Sequence, residues 1–353
     1  MTKVAVRRRV TVEDVARRAG VSTATVSRTM NGTARVAQDT VDRVRTAIDE
    51  LGFRPNPAAQ NLRQQRMRTI GLVMPSRGNP FFPELVASVH PEIARRGYSL
   101  LLIDAEPPEQ QAATMAGSRL VDGILLVGSV HGQVPTGIGS WEGVPVVALD
   151  RELSSPNRAI VQCDNVAGSK AVVEHLLELG HRRIAHVRGP LGLAVADQRA
   201  DGYRTALHGH RISVDDSLVV TDDFGEDSGF AMVSRLLDRP DPPTAVFTAN
   251  DMMAIGAISA AQNRGLNVPT DVSVAGFDGI HLGRYIHPPV TTYAQPVAAI
   301  AQRAVGLLLD AVEDDAGGGR RGTGRPAPTT LRLLGDLVVR GSTCPPSAAP
   351  SER

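Results

Sequence analysis

From Thr69 onward the sequence alternates short apolar runs with amphipathic stretches of helical length, and this rhythm constrains the fold more than any other feature. The runs are "TIGLVMP", "YSLLLIDA", "DGILLVG", "VPVVALD", "RRIAHVRG", "TAVFTAN", "VSVAGFD" and "LVVRG". Strands separated by helices pair in parallel, because the helix is the crossover that a parallel neighbour requires, and the helices then cover both faces of the sheet. Near-continuous Val, Leu and Ile mark strands buried on both faces. Aromatic residues are 3% of the chain and hydrophobic residues 42%, so the core is aliphatic. Roughly 275 residues follow this pattern. That is too many for one small sheet, so the expected body is α/β, with two similar doubly wound parallel-sheet subdomains.

The first 68 residues differ in charge and pattern. They hold 14 Lys and Arg against 6 Asp and Glu, a balance of +8, while the remainder carries −7 within a chain of net charge +1. A basic head on an acidic body points to a polyanionic partner for the head alone. Within it, "TVEDVARRAGVSTATVSRTMNG" reads as two short helices around a tight corner. Thr11 caps the first helix, and Glu13 and Asp14 suit its positive end. Val12, Val15, Ala16 and Ala19 form its apolar face. Gly20 stops it, Val21 plugs the corner and Ser22 caps the second helix. Val26 and Met30 face inward, which leaves Thr23, Ala24, Ser27 and Arg28 outside. Short hydroxyl side chains let such a helix approach phosphates closely, and an arginine reaches base edges or backbone. The pattern therefore suits a recognition helix in a major groove. A third helix is expected over about Asp39 to Leu51, with Val41, Val44, Ile48 and Leu51 inward and Gly52 as its stop.

Residues 11 to 32 resemble the helix-turn-helix signature of the lactose-repressor (LacI/GalR) family of bacterial transcription regulators. Two positions depart from it: Ala37 stands where the family usually has a capping serine, and Val41 where it usually has arginine. The resemblance implies DNA contacts from Thr11, Ser22, Thr23, Ala24, Thr25, Ser27, Arg28 and Asn31. In "FRPNPAAQNLRQQRMRT" it implies a hinge helix through Ala58 to Leu62, with Asn56, Ala59 and Gln60 at the DNA and Leu62 as an apolar wedge in the minor groove. Gln60 replaces a frequent arginine.

The body resembles the periplasmic-sugar-binding-like core of the same family. The stretches that carry the likeness are "NPFFPELV", "VDGILLV", "ALDRE", "DNVAGSKAVVEHLLELGHRRIAHVRGP", "DQRADGYRTAL", "TANDMMAIGA", "VPTDVSVAGFD" and "PPVTTYAQP". Such a core holds a small molecule in the cleft between its subdomains. The implied effector residues are Phe81 and Phe82, Asp150, Arg199, Phe224, Asn250, Asp251 and Asp278. Asp150, Asn250, Asp251 and Asp278 follow apolar runs, at the strand ends where open sheets place ligands. Arg199 matches an arginine that holds the effector by a forked contact. Phe224 falls at an aromatic wall, and Gly279 replaces a frequent second aspartate.

The expected organisation is a headpiece over 1–54, a hinge and linker over 55–68, and a core over 69–345. The core divides into an N-subdomain of about 69–163 and 293–325 and a C-subdomain of about 164–292 and 326–343. The chain would cross between them near Cys163, Thr292 and Pro326. "DDAGGGRRGTGRPAP" reads as a surface loop, and 346–353 as a disordered tail without a leucine heptad. No G-x-G-x-x-G after a strand, phosphate loop or metal-type spacing points to an enzyme or a cofactor. Cys163 and Cys344 suit a reducing compartment. The N-terminus lacks the apolar core of a secretory signal and no run is long enough for a membrane span, so a cytoplasmic, nucleoid-associated protein is expected. The reading is a homodimeric repressor on palindromic operator DNA, switched by a small effector. A sugar is favoured over a purine or nucleoside, and a solute-binding protein is the alternative class.

Overall fold

The computed structural model describes residues 10–31, 36–54, 66–75, 78–104, 108–118, 120–127, 144–149, 159–316 and 329–347. The chain divides into two compact units, Met1–Met67 and Arg68–Arg353.

The described residues of the head form three helices, α1 (Val12–Ala19), α2 (Thr23–Asn31) and α3 (Gln38–Leu51). Val15, Ala16, Ala19, Val26, Val44, Ala47 and Phe53 form its small core. Of the stripe expected on α3, only Val44 is fully buried; Val41, Ile48 and Leu51 are half-buried, and Ala47 and Phe53 complete the core. Phe53 reaches it because Gly52 takes a left-handed φ of 60°, which turns the chain so that the Phe53 N–H donates to Ile48 O at 3.0 Å. Ala37 provides no side-chain bond at the start of α3.

The body contains two six-stranded sheets. The first runs β2 (Ser99–Asp104), β1 (Thr69–Met74), β3 (Gly123–Val127), β4 (Val146–Leu149), β5 (Ala159–Cys163), β11 (Thr329–Leu333). The second runs β7 (Val219–Thr221), β6 (Ile184–Arg188), β8 (Ala245–Thr248), β9 (Ser273–Asp278), β10 (Thr291–Ala294), β12 (Asp336–Val338). The winding is the same in both. All pairs are parallel except β10 with β12, so "LVVRG" supplies an antiparallel edge rather than another parallel strand.

The helices α4 (Phe81–Arg95), α5 (Pro108–Ser118) and α10 (Val297–Ala316) serve the first sheet. The second is served by α6 (Asn165–Glu178), α7 (Ala194–Gly209), α8 (Glu226–Leu237) and α9 (Asp251–Gln262). The chain crosses between lobes at Cys163–Asn165, at Ala294–Val297 and at Leu333–Asp336. The third crossing is a correction. It does not fall near Pro326, because β11 pairs in parallel with β5, Thr329 opposite Ala159 through Leu333 opposite Cys163. Residues 329–333 thus belong to the first lobe.

Two other expectations change. "YSLLLIDA" reads as a buried strand, yet β2 is an edge whose Leu101 and Leu102 are exposed. The tail expected to be disordered from 346 is held through Ser347, whose hydroxyl donates to Thr270 O at 2.8 Å. Residues 317–328, expected as a surface loop, and those from 348 onward lie outside the described residues. No described helix is long and apolar enough to cross a membrane.

Candidate DNA-reading head and effector site

In the head, Thr11 closes a capping box: its hydroxyl accepts from Asp14 N at 3.3 Å, and its own N–H donates to the Asp14 carboxylate at 3.0 Å. Ser22 does the same work for α2, accepting from Thr25 N at 3.1 Å with Thr25 Oγ1 at 2.9 Å from its hydroxyl. Both side chains hold helix ends. Thr23, Ala24 and Arg28 are exposed on α2, while Thr25 and Ser27 are half-buried. Asn31 is the last residue of α2. Arg43 was not foreseen: from α3 its guanidinium donates to Ala19 O and Gly20 O at 3.2 and 3.3 Å, fixing the corner before α2. Asn56, Ala59, Gln60 and Leu62 lie outside the described residues, as does Asp150.

In the body, polar groups collect at the C-terminal ends of the second sheet's strands. Arg199 on α7 is at their centre and is 3% exposed. Its Nε donates to Asn165 Oδ1 at 2.9 Å, one terminal nitrogen to Ala249 O at 2.6 Å, and the other pairs with Asp278 Oδ1 at 3.3 Å. The guanidinium also lies 4.0 Å over the Phe277 ring. A guanidinium has five N–H donors, and these contacts use three of them.

Asp278 ends β9 with φ 109°, a strained value for a residue with a side chain. It accepts from Gln295 Nε2 at 2.8 Å and from the Asn79 side chain, which arrives from the first lobe. Burial pushes its carboxyl above the usual range, opposed by Arg199. A second link between lobes joins His281 N to Glu84 Oε1 of α4 at 2.8 Å. The start of α4 therefore faces the end of β9.

The other expected effector residues fall into two groups. Phe224 is half-buried, and its ring lies on Gly189, where a Cβ would come within 2.3 Å of it. Phe82 is half-buried against the core of the first lobe, edge-on to Phe81 at 5.7 Å, and Phe81 is buried within that core. Asn250 is committed to structure: its Oδ1 accepts from Met253 N at 2.8 Å, capping α9, and its Nδ2 donates to Phe224 O at 3.0 Å. Asp251 is fully buried, and its Oδ2 accepts from Gly279 N and Ile280 N at 2.8 and 2.9 Å. Burial, with the charge of Asp278, pushes its carboxyl up to about 8. It is a neutral carboxylic acid near pH 7 that shapes the turn after Asp278 from behind. Asn79, Asn165, Gln295 and Phe277 belong to the cluster and were not singled out from the sequence. Gln295 lies in "PPVTTYAQP", a stretch that carried the family likeness. No group of metal-ligating side chains occurs among the described residues.

Comparison with known proteins agrees with this arrangement. Residues 11–56 match the family described as bacterial regulatory proteins, lacI family, and residues 173–343 match a periplasmic binding protein-like domain. The HTH-type transcriptional repressor CytR of Escherichia coli (strain K12) is 36% identical over 340 residues, covering 94% of this chain and 96% of CytR. Among solved structures, the Lac repressor dimer bound to operator and the anti-inducer ONPF aligns with TM-score 0.82 and 29% identity, covering 96% of this chain and all of that one. The transcriptional regulator CelR–cellobiose complex aligns with TM-score 0.70 and 32% identity, over 95% of this chain and all of CelR. The head, the paired parallel sheets and near-full-length similarity together establish that the chain belongs to the LacI family of bacterial regulatory proteins, as a helix-turn-helix transcriptional regulator and not an enzyme.

Proposed function

We propose that the protein is a repressor that binds a palindromic operator as a homodimer in the cytoplasm, at the nucleoid, and is switched by a small uncharged effector, most simply a sugar. The observation that carries this reading is the buried Arg199–Asp278 cluster at the strand ends of the second lobe. Linked to Asn79 of the first lobe, it gives a ligand a route to alter how the lobes meet. Carboxylates, amides and a guanidinium suit neighbouring hydroxyls, and half-buried Phe82 and Phe224 suit a sugar's apolar face. The relative CelR is described in complex with cellobiose. A nucleoside is the second reading, favoured by the half-buried Phe224 ring held against Gly189.

The DNA face is α2, with Thr23, Ala24 and Arg28 outward, and Leu62 acts as the minor-groove wedge. Exposed Leu101 and Leu102 on the β2 edge, with Leu282 and Tyr285 of the second lobe, supply apolar surface for a two-fold partner, and the Lac repressor structure is described as a dimer on operator. Such a dimer reads two half-sites related by the same axis. The test is a selection from random duplex DNA at fixed salt, without and with pooled sugars and nucleosides. Enrichment of one palindrome of about 14–20 base pairs is expected, with Leu62→Ala weakening it and leaving ligand binding intact. Binding without sequence preference under both conditions overturns the operator reading.

A further inference from the structure

Strand β6 ends on Arg188, and this arginine has no assigned task. Its side chain is 9% exposed and pairs through one terminal nitrogen with Asp197, in the first turn of α7. Its Nε is buried and has no acceptor among the described residues. A buried guanidinium N–H left bare costs free energy comparable to a lost charged hydrogen bond. It is tolerated most simply where something else completes it.

The position of Arg188 says what that is. Ala249 N donates to Val187 O at 2.8 Å, and Ala249 O accepts from Arg199 at 2.6 Å. Arg188 thus stands one backbone link from the Arg199–Asp278 cluster, at the same edge of the same sheet. Its partner Asp197 precedes Arg199 by two residues on the same helix, and the Asp197 side chain is 48% exposed. Gly189, the next residue in the chain, lies against the Phe224 ring.

We propose that Arg188 and Asp197 form a second polar arm of the effector site, which takes an uncharged oxygen function of the ligand. Arg188 Nε–H donates to a ligand hydroxyl or carbonyl oxygen, and the carboxylate of Asp197 accepts from a neighbouring ligand hydroxyl. The charge balance sets the ligand class. Asp197 neutralises Arg188 as Asp278 neutralises Arg199, so a phosphate or carboxylate would meet two carboxylates along with the two guanidinia. The site selects sugars or nucleosides over their phosphorylated forms. This inference rests on the reading of the strand-end cleft as the effector site.

The test is calorimetric titration of the full chain with D-ribose, cellobiose and adenosine, and with ribose 5-phosphate and adenosine monophosphate. Arg188→Ala, Asp197→Asn and Arg199→Lys are compared, with thermal unfolding of each variant as a control for folding. An uncharged probe is expected to bind the unsubstituted protein and to lose about 10–100-fold in affinity in Arg188→Ala, the equivalent of one charged hydrogen bond. Asp197→Asn should move preference toward the phosphorylated counterpart. If Arg199→Lys abolishes binding while Arg188→Ala and Asp197→Asn leave it unchanged, the second arm is wrong and the effector site stands. If a probe binds and none of the three variants alters it, the effector-site reading falls and this inference with it. Failure of every uncharged probe, or tighter binding of a phosphorylated one, overturns the ligand class.

Discussion

The two lobes of the body share one winding and differ in what they bury. Each sheet sets its strands in the same order, ends on an edge strand that the last crossing joins to its counterpart in the other sheet, and is covered by helices. Yet among the described residues every buried charged side chain, Arg188, Arg199, Asp251 and Asp278, belongs to the second lobe, which also buries Asn165 at the start of α6 and Asn250 after β8. Among the described residues the buried core of the first lobe is almost wholly apolar, with Gln162 as the one buried polar side chain on a strand of its sheet. Apolar burial stabilises without directional demands, whereas buried charges must be matched group by group. One fold thus supplies a smooth lobe and a chemically specified one, and the proposed effector site draws its buried charges from the specified lobe.

The largest test of that contrast compares two arginines. Arg199→Met removes the bonds to Asn165, Ala249 O and Asp278 and strands a buried carboxylate. Urea denaturation should show a loss of about 3–5 kcal/mol, the usual cost of breaking a buried pair from one side. Arg96 in the first lobe also pairs with two carboxylates, Asp310 and Glu313, but at the surface. Arg96→Met should cost no more than about 1 kcal/mol, because solvent screens such pairs. Equal losses would mean that the buried cluster contributes nothing beyond ordinary surface pairing.

A smaller effect should separate the lobes by pH. The folded pKa of Asp251, about 8, lies above its unfolded value. As pH rises from about 4 the unfolded carboxyl ionises first, so stability falls until about pH 8. Histidines of the same lobe act on the acid side. Burial holds His186 at about 3 and lowers His181, which is bonded to Thr244, Ser273 and Cys344 O. Their contribution is complete above the ordinary histidine value of about 6.5 and is lost as pH drops through it toward their folded values. Asp251→Asn keeps the acceptor for Gly279 N and Ile280 N and removes the ionisation. It should flatten the alkaline limb, recovering on the order of 1–3 kcal/mol at about pH 8.5 relative to pH 5.5. An unchanged slope in urea titrations across that range would assign the alkaline decline to other groups.

The same contrast governs how much could be read in advance. All eight apolar runs noted in the sequence are strands, because aliphatic continuity is a property of the segment itself. β5, β7, β10 and β11 escape the pattern: they are short or broken by Thr, Gln and Arg, as in "AIVQC", "TTYA" and "TTLRL". Tertiary pairing, as of β11 with β5, makes them strands. Site residues show the same limit. A polar residue after an apolar run flags Asp278 and Asn250, and the same signal would have flagged Arg188 in "RRIAHVRGP". It cannot tell that Asn250 spends its side chain capping α9 or that Asp251 faces inward. Asn79 and Asn165 lie in "NPFFPELV" and "DNVAGSKAVV", stretches that carry the family likeness, but they follow no strand-end pattern, since their role depends on which strand end the fold brings to them.

The smallest expected effect is the one that could overturn the comparison. Gln162 is fully buried on β5, and neither its Nε2 nor its Oε1 has a partner among the described residues. It shares a sheet face with Ile160, which packs in an aliphatic cluster with Val146 and Ala148. If the first lobe is the smooth one, this amide is a cost without a compensating bond, and Gln162→Leu should raise stability by about 1 kcal/mol with no change in ligand affinity. But Gln162 also sits one residue before the end of its strand, as Phe277 does in β9 beside the residue that binds Arg199. Titration of the variant with an uncharged probe that binds the parent chain decides between these. A stability gain with unchanged affinity keeps the division of labour between lobes. A drop in affinity with little gain in stability would mean that the ligand completes the amide, and that both lobes, not one, read its hydrogen bonds.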